Sequence, residues 1–440
     1  MDSLIAARLQ MALSLAFHMI FAAVGIGLPL LLVIVEGLWL RTGKSHYRDL
    51  AHKWAKATGI LFAIGAVSGT ALAFELGLLW PKYMELTGAV VGHIFGLEGY
   101  AFFTEAIFIG LYLYGWDKLK PWAHWLCGVA IAASGVLSGV LVVGVNAWMQ
   151  LPLGFTLEDG RVEVSDPIAI FKQPAWAYMA VHSTLSCFIA VAYAVAGMYA
   201  RSRLKGDRSD YTRSAIVVAL AVGGITIFLQ MLSGDLLAKF VFQTQTAKFA
   251  AMEAQFKTER YAPIRIGGIP DEETETTRYA IEIPGGLSFL ATHDPAAEVP
   301  GLETIPREDW PPVDLVHGSF DVMVGAGTAL MLVSLWFWIA YWRGSERALS
   351  SRPLLWAVAL CGPLGFIALE AGWMVTELGR QPWIIHQVMR VEDAVTPAGD
   401  VQAVFFGFAI LYLLLGTTSA TLLWKLRSQA GQSAGEGPAE

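Results

Sequence analysis

An all-α, polytopic membrane bundle of nine transmembrane helices is the fold class this sequence predicts. Three observations carry the expectation. Apolar residues fill 55% of the 440 positions, and mean hydropathy is positive. Apolar runs of about 20 residues recur from end to end, and a helix of that length spans the hydrocarbon of a bilayer. Lysine and arginine gather in alternate connections between those runs.

The spans follow in order. The first, about 12–40, is too long for a cleaved signal peptide and has no small-residue cleavage site after it. Arg41, Lys44, Arg48 and Lys53 lead into the second, about 54–79, and the third runs about 94–115. Lys118 and Lys120 precede the fourth, about 122–147, which ends at Asn146. Arg201, Arg203, Lys205, Arg208 and Arg213 join the fifth, about 178–200, to the sixth, about 214–236. The seventh, about 317–342, reaches the eighth, about 353–378, through Arg343, Arg347 and Arg352. Lys425 and Arg427 follow the ninth, about 402–425. By the positive-inside rule these basic connections are cytoplasmic and the N-terminus lies outside. The polar tail from Ser428, SQAGQSAGEGPAE, is then inside and disordered.

The chain thus divides into spans one to six (1–236), a long outward connection (237–316), spans seven to nine (317–427) and the tail (428–440). A connection of that length inside a compact protein is expected to be functional. Its first part, TQTAKFAAMEAQFK, reads as an amphipathic helix, and its middle, around Gly267, Gly268 and Pro270, as irregular chain. The modest net charge of −7 and the lack of a basic patch give no sign of nucleic acid. Cys127, Cys187 and Cys361 all lie in apolar runs and read as small core residues.

Charge at membrane depth is expensive, about 2.5–3.5 kcal/mol per residue at a helix centre, so each such group needs a partner or a proton. GWMVTELGRQPW, Gly372–Trp383, places Glu377 and Arg380 at such a depth, with Glu370 a further seven residues back. At 1.5 Å per residue, His18, His182, Met323, Glu377 and Asn146 come out on the side of the long connection, and Glu98 and Glu105 in the outer half of span three. Histidine, methionine and carboxylate are axial ligands of haem iron. A His182/Met323 pair suits a closed electron-transfer haem, and His18 or Glu377 suits an open one. The plain alternatives are a packing histidine and a gap-filling methionine. Glu98 and Glu105, seven apart, share one helix face, as do Glu370 and Glu377; stacked carboxylates suggest a proton path or hydrogen-bonded structural acids. Arg380 is expected to neutralise a carboxylate, from a Glu or a cofactor propionate. No histidine cluster suggests copper, and no zinc or P-loop spacing occurs.

Five stretches then carry a resemblance: RLQMALSLAFH (Arg8–His18), GLEGYAFFTEAIFIGLYLYGWDKL (Gly96–Leu119), VNAWMQLPLGF (Val145–Phe155), AKFAAMEAQF (Ala247–Phe256) and GRQPW (Gly379–Trp383). Over nearly its whole length the chain resembles subunit I of the cytochrome bd-type quinol oxidases. The resemblance implies a haem-containing quinol:oxygen oxidoreductase of the bacterial inner membrane, oxidising ubiquinol or menaquinol outside and reducing O2 to water with cytoplasmic protons. Proton motive force then arises without pumping. It implies three haems: low-spin haem b at His182 and Met323, and two more at His18 and Glu377, one high-spin haem b and the other haem d or a third haem b. It places Glu98 beside the oxygen-reducing haem, Glu105 next on the proton route, Lys248 and Glu253 at the quinol in the periplasmic Q-loop, and Arg380 and Asn146 in support. It implies a second subunit, in some members also a small single-span subunit, and membrane lipid. Two departures stand out. Asp321 sits where familiar members carry a basic residue; a charged acid there lowers the potential of the low-spin haem. The Q-loop is of the shorter type, shared with cyanide-insensitive relatives. The residues read alone leave two rivals: a b-type cytochrome without oxygen reduction, and a proton-coupled transporter with the carboxylates as ion sites.

Overall fold

The computed structural model describes residues 2–158, 161–164 and 169–433. Among them nine helices are long and apolar enough to cross a membrane. In chain order these are α1 (Ser3–Thr42), α2 (Ser45–Leu79), α3 (Pro81–Tyr114) and α4 (Pro121–Gln150), then, after the hairpin β1 (Phe155–Glu158) and β2 (Arg161–Val164) and the short α5 (Ala169–Lys172), α6 (Pro174–Leu204) and α7 (Asp210–Thr244). The long connection holds α8 (Thr246–Met252), β3 (Glu259–Arg260), β4 (Ile264–Ile266), β5 (Ile269–Asp271), β6 (Thr276–Arg278), β7 (Ile281–Ile283), α9 (Gly286–Thr292) and β8 (Glu298–Val299). There follow α10 (Val313–Arg343), α11 (Ser345–Ser350), α12 (Arg352–Cys361), α13 (Leu364–Leu378), β9 (Trp383–Ile385), β10 (Met389–Arg390), α14 (Val391–Ala394) and α15 (Val401–Ser433).

The helices outrun the apolar runs. Pro81 and Pro121 open α3 and α4 at their first turn, where a missing N–H is harmless. α3 starts at Pro81 rather than near 94, so Glu98 sits near the middle of the helix and Glu105 two turns further on. The eighth span is two helices, broken where Pro363 follows Gly362. A Cβ on Gly197 would come within 2.9 Å of Gly362 Cα, and one on Gly365 within 2.6 Å of Ala190 Cα, so α6 meets the broken span almost backbone to backbone. The tail read as disordered begins inside α15, which runs on to Ser433; residues 434–440 lie outside the described residues.

The long connection is ordered, with two departures from expectation. Its first helix stops at Met252, and every residue from Lys248 to Phe256 is buried, so it packs on all sides rather than lying amphipathic at a surface. Its middle forms two antiparallel ladders, β4 with β7 (Ile264 opposite Ile283) and β5 with β6 (Ile269 opposite Arg278), where irregular chain was expected. Phe249, Met252, Phe256, Leu287 and Leu302 build a core shared with Val241 of α7, Val316 of α10 and Val375 of α13, which fixes the connection over that end of the bundle. We call this end the connection face.

Candidate functional site

Both candidate histidines are set by the same local device. The hydroxyl of Ser68 on α2 donates to Gly65 O at 3.1 Å and sits 3.0 Å from His18 Nδ1. With its proton spent on the backbone, Ser68 accepts from His18 Nδ1–H, which leaves the Nε2 lone pair free. On α7, Ser233 donates to Gln230 O at 2.9 Å and sits 2.9 Å from His182 Nδ1. His182 Nε2 faces the Gln230 amide nitrogen at 3.0 Å. An outer partner on one ring nitrogen that aims the other is how metal-binding histidines are oriented.

Glycines open space against three of the four candidate ligands. A Cβ on Gly69 would lie 2.8 Å from His18 Cε1, one on Gly234 3.3 Å from His182 Cε1, and one on Gly372 3.0 Å from Met323 Sδ. A side chain at these positions would press on the candidate ligands themselves and move them. No group of three or more His, Cys, Asp or Glu that could enclose a metal ion occurs among the described residues. Single donors on separate helices fit an iron whose four equatorial positions a porphyrin already fills. Arg380, 4% exposed, keeps Nη1 without a partner, as a propionate-binding guanidinium would. The residues present therefore fit haem.

Glu377 is held on both oxygens. Oε1 accepts from Asn146 Nδ2, and Oε2 accepts from Arg380 Nη2 at 2.6 Å. Gln150, one turn on from Asn146, donates to Asn146 Oδ1 at 3.2 Å and to Thr376 O at 3.2 Å, and accepts from Lys248 Nζ. The network thus runs from the connection into the bundle. Burial, with Arg380 next, drives the Lys248 amine well below its usual pKa, against the pull of Glu377.

Lys248 and Glu253 part company. Lys248 lies over Gly379 and points towards Glu377, whereas Glu253 lies among Asp321 and Arg265. Desolvation, reinforced by Asp321 and opposed by Arg265, pushes the Glu253 carboxyl up to about 7. Asp321 is a staple: it accepts from Gly267 N at 2.8 Å and lies 3.4 Å from His317 Nε2, tying α10 to the connection. His317 adds contacts to Met252 O at 2.7 Å and Gly267 O at 3.1 Å.

The acids of α3 are less tied. Glu98 accepts from Ser138 at 2.7 Å, and Glu105 Oε1, packed against Gly25 and Gly135, has no partner. Glu370 Oε1 on α13 is also unpartnered. Seven residues past Glu105, Tyr112 donates to Glu36 Oε2 at 2.6 Å, and His124 Nδ1 lies 2.7 Å from Glu36 Oε1. Sequence reading passed over Ser68, Ser233, Gln150, Glu36 and His124. Only Gln150 carried a signal, since it lies inside the Val145–Phe155 stretch.

Comparisons with known proteins give the family and the fold. The family described as cytochrome bd terminal oxidase subunit I matches residues 6–430. A Bacillus subtilis (strain 168) chain, provisionally named cytochrome bd menaquinol oxidase subunit I, is 35% identical over 427 residues, covering 96% of each chain. A second B. subtilis chain, named cytochrome bd ubiquinol oxidase subunit 1, is 31% identical over 437 residues, 94% of this chain and 92% of its own. The solved bd oxidase of Geobacillus thermodenitrificans superposes with a TM-score of 0.91 at 36% identity, over 97% of this chain and 99% of that one. With a match that spans almost the entire sequence, relatives aligned nearly end to end and the same bundle in a solved oxidase, the chain belongs to the cytochrome bd terminal oxidase subunit I family.

Proposed function

We propose that this chain is the haem-bearing subunit of a quinol:oxygen oxidoreductase in a bacterial inner membrane. The carrying observation is the paired serine device, which holds Nδ1 of His18 and of His182 and leaves Nε2 as the ligating atom of each ring, with a glycine packed against each imidazole. When bound, the haems supply electron transfer from the quinol and the reduction of O2 to water. His182 on α6 and Met323 on α10 hold the low-spin haem b, and Gln230 yields its contact with Nε2. His18 and Glu377 hold the other two, a high-spin haem b and a haem d or third haem b. Arg380 and Asn146 keep Glu377 in place, and Arg380 Nη1 is left for a propionate.

Residues 237–316 are the quinol-binding Q-loop. Glu253, with its pKa lifted to about 7, takes a proton from the quinol and passes it to water outside. Lys248 stands between that site and Glu377, through Gln150. Glu105 and Glu98 hold the protons that oxygen reduction consumes, drawn from the cytoplasm. The basic connections, such as the one where Arg213 meets Glu346 at 2.8 Å, face the cytoplasm by the positive-inside rule. The N-terminus and Q-loop are then periplasmic and the C-terminus cytoplasmic. Electrons and protons entering from opposite sides charge the membrane without a pump. Exposed apolar residues such as Phe103, Trp342 and Phe406 belong against lipid, a second oxidase subunit or a small single-span one.

The test is the spectrum of purified Met323→Leu complex. The low-spin haem signal converts to high-spin and gains carbon monoxide binding; an unaltered low-spin spectrum removes Met323 as a ligand.

A further inference from the structure

Between α1, α2 and α15 lies a knot of polar side chains that face chiefly one another, at distances and angles too poor for well-formed hydrogen bonds. Both amide atoms of Gln10, the hydroxyl of Ser14 and Oε2 of Glu75 make no hydrogen bond of good geometry, and all three residues are 0% exposed. Tyr412 of α15 donates to the other oxygen of Glu75 at 3.4 Å. Gln10, Ser14 and Tyr412 are the polar groups that face Glu75, and no charged group among the described residues offsets it. Arg8, on the same helix as Gln10, reaches Gln381 instead. Buried polar atoms without well-formed hydrogen bonds are costly, and four around one point mark a place completed by water and a proton.

The knot is aligned with His18. Gln10, Ser14 and His18 follow at four-residue intervals on one face of α1. Ser14 is about 6 Å of helical rise from His18, and Glu75 about 10 Å of rise beyond Ser68, the serine that orients His18. Both helices lead from His18 towards the connection face.

We propose that Gln10, Ser14, Glu75 and Tyr412 form a buried proton-binding site, completed by water, that offsets the charge of the haem iron held at His18. The proposal rests on the haem reading of His18 given above. A dry interior penalises net charge. With a haem held at His18, the Glu75 carboxylate would balance the extra positive charge of the oxidised group, and on its one-electron reduction by quinol Glu75 would take one proton from water on the connection-face side, the only bond formed at the site being the carboxyl O–H. The charge of the interior is the same before and after. An amide and two hydroxyls can donate to the carboxylate and accept from the carboxylic acid, so the site is satisfied in either state.

The experiment is redox-difference infrared spectroscopy of the purified, haem-loaded complex, together with potentiometry across pH. A carboxylic C=O band should appear on reduction, vanish in Glu75→Gln and shift in Tyr412→Phe. The midpoint potential of the haem at His18, falling as pH rises in the wild type, should lose that dependence in Glu75→Gln and regain it in Glu75→Asp. A band and a pH slope unchanged by Glu75→Gln overturn the proposal. Should that variant fail to assemble, Ser14→Ala and Tyr412→Phe must both move the band, and no movement in either overturns it equally. His18→Ala separates the two readings: a full haem complement in that variant removes the haem from His18, whatever Glu75 does.

Discussion

Glu377 and Glu105 are the same residue type at membrane depth, and the fold treats them in opposite ways. Glu377 has a hydrogen bond on each oxygen, one from Asn146 and one from Arg380 at 2.6 Å. Glu105, 4% exposed, has an oxygen with no partner and glycines for neighbours. A carboxylate fixed on both sides by an amide and a guanidinium is a stationary charge, suited to face a metal. A carboxyl in an unfilled slot is free to change its proton and its rotamer. On the proposed reading the same chemistry serves as ligand at one place and proton carrier at the other, and the neighbours decide which.

Removing each acid tests that division, and the effect is the largest expected. Glu377→Ala should lose one haem of the three, read by pyridine haemochrome. Glu105→Gln should keep every haem and lower oxygen reduction about 100-fold, in the range for a lost proton-transfer group. Haem loss in Glu105→Gln would erase the distinction. Next comes the partner. Arg380→Leu leaves the Glu377 carboxylate uncompensated, which should destabilise the complex by about 3–5 kcal/mol in thermal melts; an unchanged melting temperature would mean the ion pair is not what holds Glu377.

Glu253 sharpens the comparison from outside the membrane, being partly paired. Its folded pKa of about 7 lies above its ordinary value, so its contribution to stability is present at low pH and fades as pH rises through 7. Its ability to accept a proton changes the other way. Quinol oxidation should climb across pH 7 in the wild type and flatten in Glu253→Gln, with haem spectra intact. A climb that survives the substitution assigns it to another group. The smallest effect belongs to Asp321→Ala, which frees Gly267 N and should loosen the connection by about 1–2 kcal/mol, seen as faster amide exchange around Gly267; unaltered exchange would show the staple to be idle.

Reading the chain alone found the nine spans because a run of some 20 apolar residues has one stable form in lipid. It placed the start of α3 too late because the helix begins among Lys82 and Glu85, which a hydropathy pattern excludes. It missed the ladders of the connection because strands of three residues, such as Ile264–Ile266, carry too little alternation to stand out.

What the sequence determined by itself is the set of possible actors: two histidines, a methionine and several acids in segments with no other use for them. The tertiary structure decided what holds each of them. Ser68 lies 50 residues from His18, Ser233 51 from His182 and Gln150 98 from Lys248, so nothing local could reveal those contacts. A ring nitrogen is aimed, or a carboxylate pinned, by whichever side chain the packing of another helix brings against it, and packing is a property of the whole bundle.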